Sequence, residues 1–182
     1  MNRLKQKYNE SIVSVVTKEF KLPNVMMVPR LEKISINAGI GSFRENREAV
    51  DSFVTDLAAM TGQKPYPRSA RLSVAGFKVR QGDTVGYTVT LRGDRMWAFL
   101  DKFINIALPR VRDFRGLRDT SFDEDGNYSV GIKEHVIFPE VNPNTTKGIR
   151  SLQLTVVTNS KDKELNKFVL KELGLPFRKD AK

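Results

Sequence analysis

The chain of 182 residues is long enough to form one domain with a real core, and 40% hydrophobic residues exclude wholesale disorder. The absence of cysteine excludes disulfides, thiolate metal sites and cysteine nucleophiles. Lysine and arginine number 31 against 21 acidic residues, and the formal charge of +10 favours partners that carry phosphate groups. No apolar run reaches the length of a membrane span, and the start lacks an apolar signal core, so we expect a cytoplasmic protein with no membrane partner.

Hydrophobic periodicity predicts both helices and strands along the chain. In chain order they are a helix over 2–20, a strand over 31–37, a helix from 42 to 62, strands over 69–75 and 85–92, a helix over 94–109, strands over 128–134 and 151–158, and a helix over 161–173. Strands this short need a shared sheet with helices over its apolar face. We therefore predict a single α+β domain over residues 1–182, with a mainly antiparallel sheet, helices packed on one face and a polar-basic RNA-binding face on the other.

Two local patterns refine the helix predictions. Val15 and Val16 fall on the apolar stripe of the first helix. Ser42 and Glu45 match the S-x-x-E capping box, so the second helix is predicted to begin after Ser42, and Gly62 is predicted as its left-handed C-cap.

Side chains alternate along a strand, so each predicted strand also presents a second, polar face. The predicted RNA-binding residues on the first three strands are Lys33, Ser35, Asn37, Ser69, Arg71, Ser73, Thr88, Thr90 and Arg92. A solvated face usually mixes both charge signs, and this set has no carboxylate, so the pattern favours RNA binding over an ordinary solvated face. The lack of aromatic residues there favours the backbone and shallow groove of folded RNA over single strands.

Two loops add positive charge. The first lies around residues 75–83 and carries Lys78 and Arg80 between glycines; the second, residues 110–118, carries four arginines around one phenylalanine. Arginine binds phosphate in a bidentate manner, and four arginines with one aspartate exceed local pairing needs. The predicted RNA-binding residues of the second loop are Arg110, Arg112 and Arg115. The phenylalanines of the two loops, Phe77 and Phe114, are expected to be buried in the core.

Three motifs that would indicate other chemistry fail. Residues 37–42 follow a strand like a dinucleotide loop, but the third glycine of that motif would fall at Arg44. Residues 123–134 have the carboxylate spacing of a calcium loop, but Tyr128 occupies the position that needs glycine, so a hairpin turn is the better interpretation. His135 has no partners for a triad or a zinc site, which favours a structural role. We therefore predict no enzymatic activity, metal or cofactor.

Several long motifs resemble the bacterial large-subunit ribosomal protein five family. They cover essentially the whole chain and comprise residues 28–34, 37–41, 73–82, 89–97, 107–117, 126–134, 137–140 and 176–177. The resemblance implies a sheet that binds 5S ribosomal RNA and attaches it to the large subunit. It also implies contacts with 23S ribosomal RNA, with transfer RNA in the P site through Lys78 and Arg80, and with a small-subunit head protein at an intersubunit bridge.

The chain departs from the family pattern at two places. Leu72 stands where a second basic residue is expected after Arg71, and Glu124 and Asp125 stand where the family often has Gly-Arg. The second departure makes that turn acidic and argues against RNA contact there. A free RNA chaperone that uses the same surface is the main alternative to a ribosomal protein. A nucleic-acid enzyme would need clustered carboxylates, which the sequence does not supply.

Overall fold

The computed structural model describes residues 2–143 and 146–178. The α-helices are α1 (Arg3–Lys7), α2 (Val13–Glu19), α3 (Arg47–Thr61), α4 (Gly93–Lys102) and α5 (Lys163–Leu173). The strands are β1 (Leu31–Gly39), β2 (Tyr66–Ser69), β3 (Thr84–Leu91), β4 (Tyr128–Ile132) and β5 (Leu152–Thr158). They form one antiparallel sheet in the order β2-β3-β1-β5-β4, which confirms the predicted α+β fold.

The Cα positions group into two compact units. Unit 1 contains the described residues of 1–34, 91–130 and 155–182, and unit 2 contains those of 35–90 and 131–154. The sequence-based prediction of a single domain stays a prediction. No helix in the described ranges is both long and apolar enough to cross a membrane.

In unit 1, the N-terminal helical segment is interrupted by a π-helical turn, Tyr8–Ile12, between α1 and α2. The buried residues recur at a spacing of four: Leu4, Tyr8, Ile12 and Val16. In a regular α-helix, residues spaced four apart rotate gradually around the helix axis. The π turn has more residues per turn, so it keeps these four side chains closer to one face. Val15 lies off the stripe and is 39% exposed, so its predicted burial is wrong.

Aromatic contacts and one buried hydrogen bond fix this segment within unit 1. The Tyr8 ring lies 5.6 Å from the Trp97 ring of α4, and its hydroxyl donates to the Pro29 carbonyl at 2.7 Å. Phe20 packs edge-on against Phe168 of α5 at 5.4 Å. The predicted helix over 94–109 contains α4 and a π-helical turn, Phe103–Ala107, directly after it. Its predicted apolar face is confirmed, because all six residues are buried: Met96, Trp97, Leu100, Phe103, Ile104 and Ala107.

In unit 2, α3 begins later than predicted. Its N-cap is Asn46, whose side-chain oxygen accepts a hydrogen bond from the Ala49 amide at 3.1 Å. The capping box at Ser42 is therefore wrong, because the asparagine cap already satisfies a free amide of the first turn. The C-cap prediction is confirmed: Gly62 has φ +66°, and its amide bonds to the Ala58 carbonyl.

His135 belongs to the core of unit 2 and is fully buried. Its Nδ1 accepts a hydrogen bond from the Arg150 amide at 3.1 Å, and its Nε2 lies 3.4 Å from the Asp56 carboxylate. The ring packs edge-on against Phe53 of α3 at 5.3 Å. These contacts give His135 the structural role that its lack of catalytic partners predicts.

The predicted strand over 69–75 is wrong, since β2 is Tyr66–Ser69 and residues 70–83 form a loop. β2 pairs with β3 from Tyr66 opposite Thr88 to Ser69 opposite Thr84, and β3 begins at Thr84. The residues after Ser69 therefore have no neighbouring strand with which to pair. Leu72, which the alternation places inward, is 75% exposed. β2 is an edge strand, which is where the missing amide of a proline is tolerated.

We expect Gly86→Ala to destabilise the protein by about 1–3 kcal/mol, the usual range for overpacking. A Cβ atom at Gly86 of β3 would lie 2.8 Å from the Ala38 carbonyl oxygen of β1, and both are backbone positions that cannot rotate away. Gly131→Ala in β4 is the matched control, because a Cβ there meets nothing within 4 Å. Urea unfolding of the two variants measures the difference, and equal stability would contradict this steric argument.

Candidate nucleic-acid interface

The polar residues predicted on β1 and β3 of unit 2 are accessible. Asn37 is exposed, and Ser35, Thr88 and Thr90 are half-buried. The Thr88 hydroxyl donates to the Ile36 carbonyl at 3.1 Å. Its oxygen can still accept a hydrogen bond, for example from a ribose hydroxyl, so these strands keep polar groups available to a nucleic acid.

Residues 70–83 of unit 2, here named the basic loop, are held by their own backbone. The Val74 and Val79 amides donate to each other's carbonyls at 2.9 and 3.2 Å, and the Ala70 amide donates to the Asp83 carbonyl at 2.8 Å. The tip is a 3₁₀ turn, Ala75–Phe77, followed by Lys78 in the left-handed region at φ +51°.

The basic loop contains residues that alternation places on a sheet face. Arg71 and Ser73 are predicted strand residues, and that placement is wrong, although both are exposed. The Ser73 hydroxyl accepts a hydrogen bond from the Gln81 amide at 2.8 Å, so it stabilises the loop itself. Ser69 is the exposed last residue of β2, next to an irregularity in the pairing after Arg68. Lys78 and Arg80 are exposed, as the loop prediction requires.

Arg44 anchors the basic loop, and sequence reasoning missed this role. Its guanidinium donates to the Lys78 carbonyl at 2.6 Å and lies 3.6 Å from the Asp83 carboxylate. The same carboxylate accepts the Arg80 amide at 2.9 Å. Arg44 and Lys78 are 34 residues apart, so no local pattern indicates the contact. The one acidic side chain of the loop is thus bound internally.

Residues 110–118 of unit 1, here named the arginine loop, are fastened to the segment after α5. The Leu117 amide donates to the Pro176 carbonyl, and the Arg178 amide donates to the Leu117 carbonyl, each at 2.8 Å. Gly116 has φ +96°, and a Cβ there would lie 2.8 Å from the Arg178 backbone. This close approach explains why the loop has glycine between Arg115 and Leu117.

The arginines of this loop remain available to a partner. Arg110, Arg112 and Arg115 are exposed. Within the part of the chain that the structure describes, no carboxylate forms an ion pair with any of the three. Unpaired guanidinium groups on a fixed backbone are suited to bidentate binding of phosphate.

An aromatic cluster in unit 1 supports the arginine loop. The ring of Tyr128 lies 4.7 Å from that of Phe122 and 5.3 Å from that of Phe177. The Tyr128 hydroxyl donates to the Arg118 carbonyl at 2.6 Å, at the end of the loop. Burial of the hydroxyl, with a smaller contribution from the negative charge of Asp119, raises the pKa of Tyr128 to about 12. Phe114 is half-buried.

The remaining predicted residues lie in unit 1 as well. Lys33 is half-buried on β1, and Arg92 is exposed one residue beyond the end of β3, at the N-cap position of α4. The turn at 123–127 is the predicted hairpin turn, since the Asp123 carboxylate accepts the Asn127 amide at 2.7 Å. Among residues 2–143 and 146–178, no group of three or more histidine, aspartate or glutamate side chains could hold a metal ion.

An α+β fold that exposes lysine and arginine side chains on two fixed loops has the charge distribution typical of nucleic-acid-binding proteins. Residues 24–80 match the family described as ribosomal protein L5, and residues 84–177 match the model of that ribosomal family's C-terminus. The chain belongs to the ribosomal protein L5 family, as its motifs predict. It is a non-enzymatic structural component of the large ribosomal subunit and binds ribosomal RNA.

Curated relatives support this assignment over nearly the whole chain. The chain is 51% identical over 177 residues to the large ribosomal subunit protein uL5 of Carboxydothermus hydrogenoformans, covering 97% of this chain and 99% of the relative. It is 49% identical to uL5 of Geobacter sulfurreducens over 178 residues, with 98% and 99% covered. It is also 49% identical to uL5 of Roseiflexus sp. strain RS-1 over 176 residues, with 97% and 98% covered.

We expect Tyr128→Phe to cost about 0.5–1.5 kcal/mol of stability at pH 8, because the variant loses the hydrogen bond to the Arg118 carbonyl. The folded state raises the pKa of Tyr128 from 10.0 to about 12. It therefore holds the phenol proton more tightly than the unfolded state. The stability linked to that proton is present below about pH 10 and is lost as the pH rises toward 12.

The measurement is urea unfolding of both proteins at pH 8 and pH 11. The stability advantage of the wild type should shrink at pH 11. Burial also raises the pKa of Tyr8, but Tyr8 is present in both proteins and its effect cancels. Tyr66→Phe, at a tyrosine that is 64% exposed, is the control and should change stability by less than about 0.5 kcal/mol. An advantage that is the same at both pH values would contradict the linkage.

Proposed function

We propose that the chain binds 5S ribosomal RNA and attaches it to the large subunit of cytoplasmic ribosomes. The observation that carries the proposal is a set of accessible hydroxyls, amides and cations, and none of these cations forms an ion pair within the described ranges. On unit 2 the strand residues are Ser35, Asn37, Thr88 and Thr90, with Ser69 at the end of β2. On unit 1 they are Lys33 and Arg92. Hydroxyls and amides bind phosphate and ribose oxygens, and the cations release counterions from RNA.

The two loops are proposed to bind further RNA. The arginine loop contacts ribosomal RNA, including 23S ribosomal RNA, through Arg110, Arg112 and Arg115. The basic loop contacts transfer RNA in the P site through Lys78 and Arg80, which are exposed on a backbone that Arg44 fixes. The family resemblance adds a contact with a small-subunit head protein at an intersubunit bridge.

Arg92→Ala should weaken 5S RNA binding by about 1–3 kcal/mol if Arg92 makes a bidentate contact. Arg92 is exposed, and no ion pair to it occurs in the described ranges. Filter binding of the purified chain to 5S RNA, at several salt concentrations, measures the affinity and its salt slope. Arg95→Ala removes an equally charged, exposed residue from α4 and should change affinity less. An equal loss in both variants would show that Arg92 acts only through net charge.

The double variant Lys78→Ala and Arg80→Ala should speed the release of P-site transfer RNA and leave 5S RNA in place. Phosphate contacts at separate sites couple weakly, so the loss should stay with the RNA that the loop binds. The test uses purified ribosomes that carry the variant, with the 5S content quantified and the P-site dissociation rate measured. Arg47→Ala with Lys64→Ala removes the same charge from exposed positions in unit 2 as a control. Loss of 5S RNA from the variant subunits would assign the basic loop to the 5S site instead.

A further inference from the structure

Phe77 at the tip of the basic loop is the most exposed large hydrophobic side chain in the described ranges. It is 80% exposed, although the sequence predicts that it is buried in the core. An aromatic ring left in water forgoes the favourable free energy of burial. Since the fold does not recover that free energy, the ring is available to a partner.

The backbone around Phe77 is held in place before any partner arrives. The Phe77 amide donates to the Val74 carbonyl at 3.2 Å, and the reciprocal bonds between Val74 and Val79 close the turn. Arg44 fixes the carbonyl of the next residue, Lys78. A ring presented on a fixed turn loses little conformational entropy on binding, so its contact area is used efficiently.

The charges around Phe77 indicate what kind of partner fits. Arg71, Lys78 and Arg80 are exposed in the same loop, and the loop's only acidic side chain, Asp83, is engaged by Arg44 and the Arg80 amide. A partner therefore needs a flat apolar surface and negative charge next to it. A nucleotide provides both, with a base to stack and a phosphate beside it.

We propose that Phe77 stacks on an exposed nucleobase of the RNA that the basic loop binds, while Lys78 and Arg80 contact the adjoining phosphates. This inference rests on the proposed function of the loop as an RNA-binding element. It adds a base-stacking site to a loop whose predicted contacts are ionic. The expectation that RNA is bound without an aromatic platform concerned the polar face of the strands, and it is unchanged by this proposal.

The test compares three variants in purified ribosomes: Phe77→Leu, Phe77→Trp and Leu72→Ala. Phe77→Leu keeps an apolar side chain and removes the aromatic face, so release of deacylated transfer RNA from the P site should accelerate at least about fivefold. Phe77→Trp should release at the wild-type rate or more slowly. Leu72 is 75% exposed in the same loop but cannot stack, and Leu72→Ala should stay near the wild-type rate.

Salt dependence separates stacking from phosphate contact. Phe77→Leu should accelerate release by the same factor at low and high salt, whereas the Lys78 and Arg80 double variant should lose its effect as salt rises. If Phe77→Leu releases transfer RNA at the wild-type rate and retains 5S RNA, the stacking proposal is wrong. The proposal is equally wrong if Leu72→Ala, Phe77→Leu and Phe77→Trp all accelerate release to a similar extent. That pattern would indicate an apolar contact with a protein.

The same variants identify the source of the base and keep the two proposals apart. If ribosomes with Phe77→Leu lose 5S RNA while those with Phe77→Trp retain it, the ring stacks on 5S RNA instead of transfer RNA. If the Lys78 and Arg80 double variant accelerates release but Phe77→Leu does not, stacking fails and the proposed function stands. If the double variant alters neither transfer RNA release nor 5S content, the proposed function of the loop fails.

Discussion

Cations bind phosphate most readily when they are unpaired in the free protein, and the backbones of both loops are held without using the loops' own cations. A loop whose lysines and arginines were fixed by carboxylates would have to break those pairs on binding RNA. The basic loop is fixed instead by reciprocal backbone hydrogen bonds between Val74 and Val79 and by Arg44 on a carbonyl oxygen. The arginine loop is fixed by backbone bonds that link Leu117 to Pro176 and Arg178. Each leaves its guanidinium groups available.

Most ion pairs in the described ranges join residues outside the two loops. The pairs are Asp101 with Arg3, Asp94 with Lys5, Glu48 with Lys147, Asp125 with Lys161, and Asp119 with Lys167. Exposed pairs of this kind add little stability, about 0–1 kcal/mol each. These pairs have a larger effect on the distribution of charge. They neutralise cations outside the two loops, so that the cations of the loops contribute to the accessible part of the net charge of +10. In the basic loop Asp83 is the exception, and there its charge is opposed by Arg44.

Local patterns predicted most helices and strands because burial at a fixed spacing is a local property, as the buried alternation along β5 illustrates. The same alternation failed at Leu72, because a strand also needs a partner strand and the pairing with β3 ends at Thr84. The contact between Arg44 and a carbonyl 34 residues away has no local signal, so sequence reasoning missed it. A cation can attract phosphate wherever it is exposed, whether or not it lies on a strand. Arg71 is exposed as predicted, although its predicted strand is wrong. The family resemblance supplied the identity and the expected RNA partners, which alternation alone could not.

Aromatic side chains have different roles at the two loops. In unit 1, rings outside the arginine loop add to its backbone bonds, because Phe177 packs against Tyr128, whose hydroxyl donates to the Arg118 carbonyl. In unit 2, Arg44 and backbone bonds hold the basic loop without help from its aromatic residue. Phe77 is thereby released from a structural role and stays in water. An aromatic side chain that the fold does not need, on a backbone that the fold keeps rigid, is positioned to contribute its burial free energy to binding.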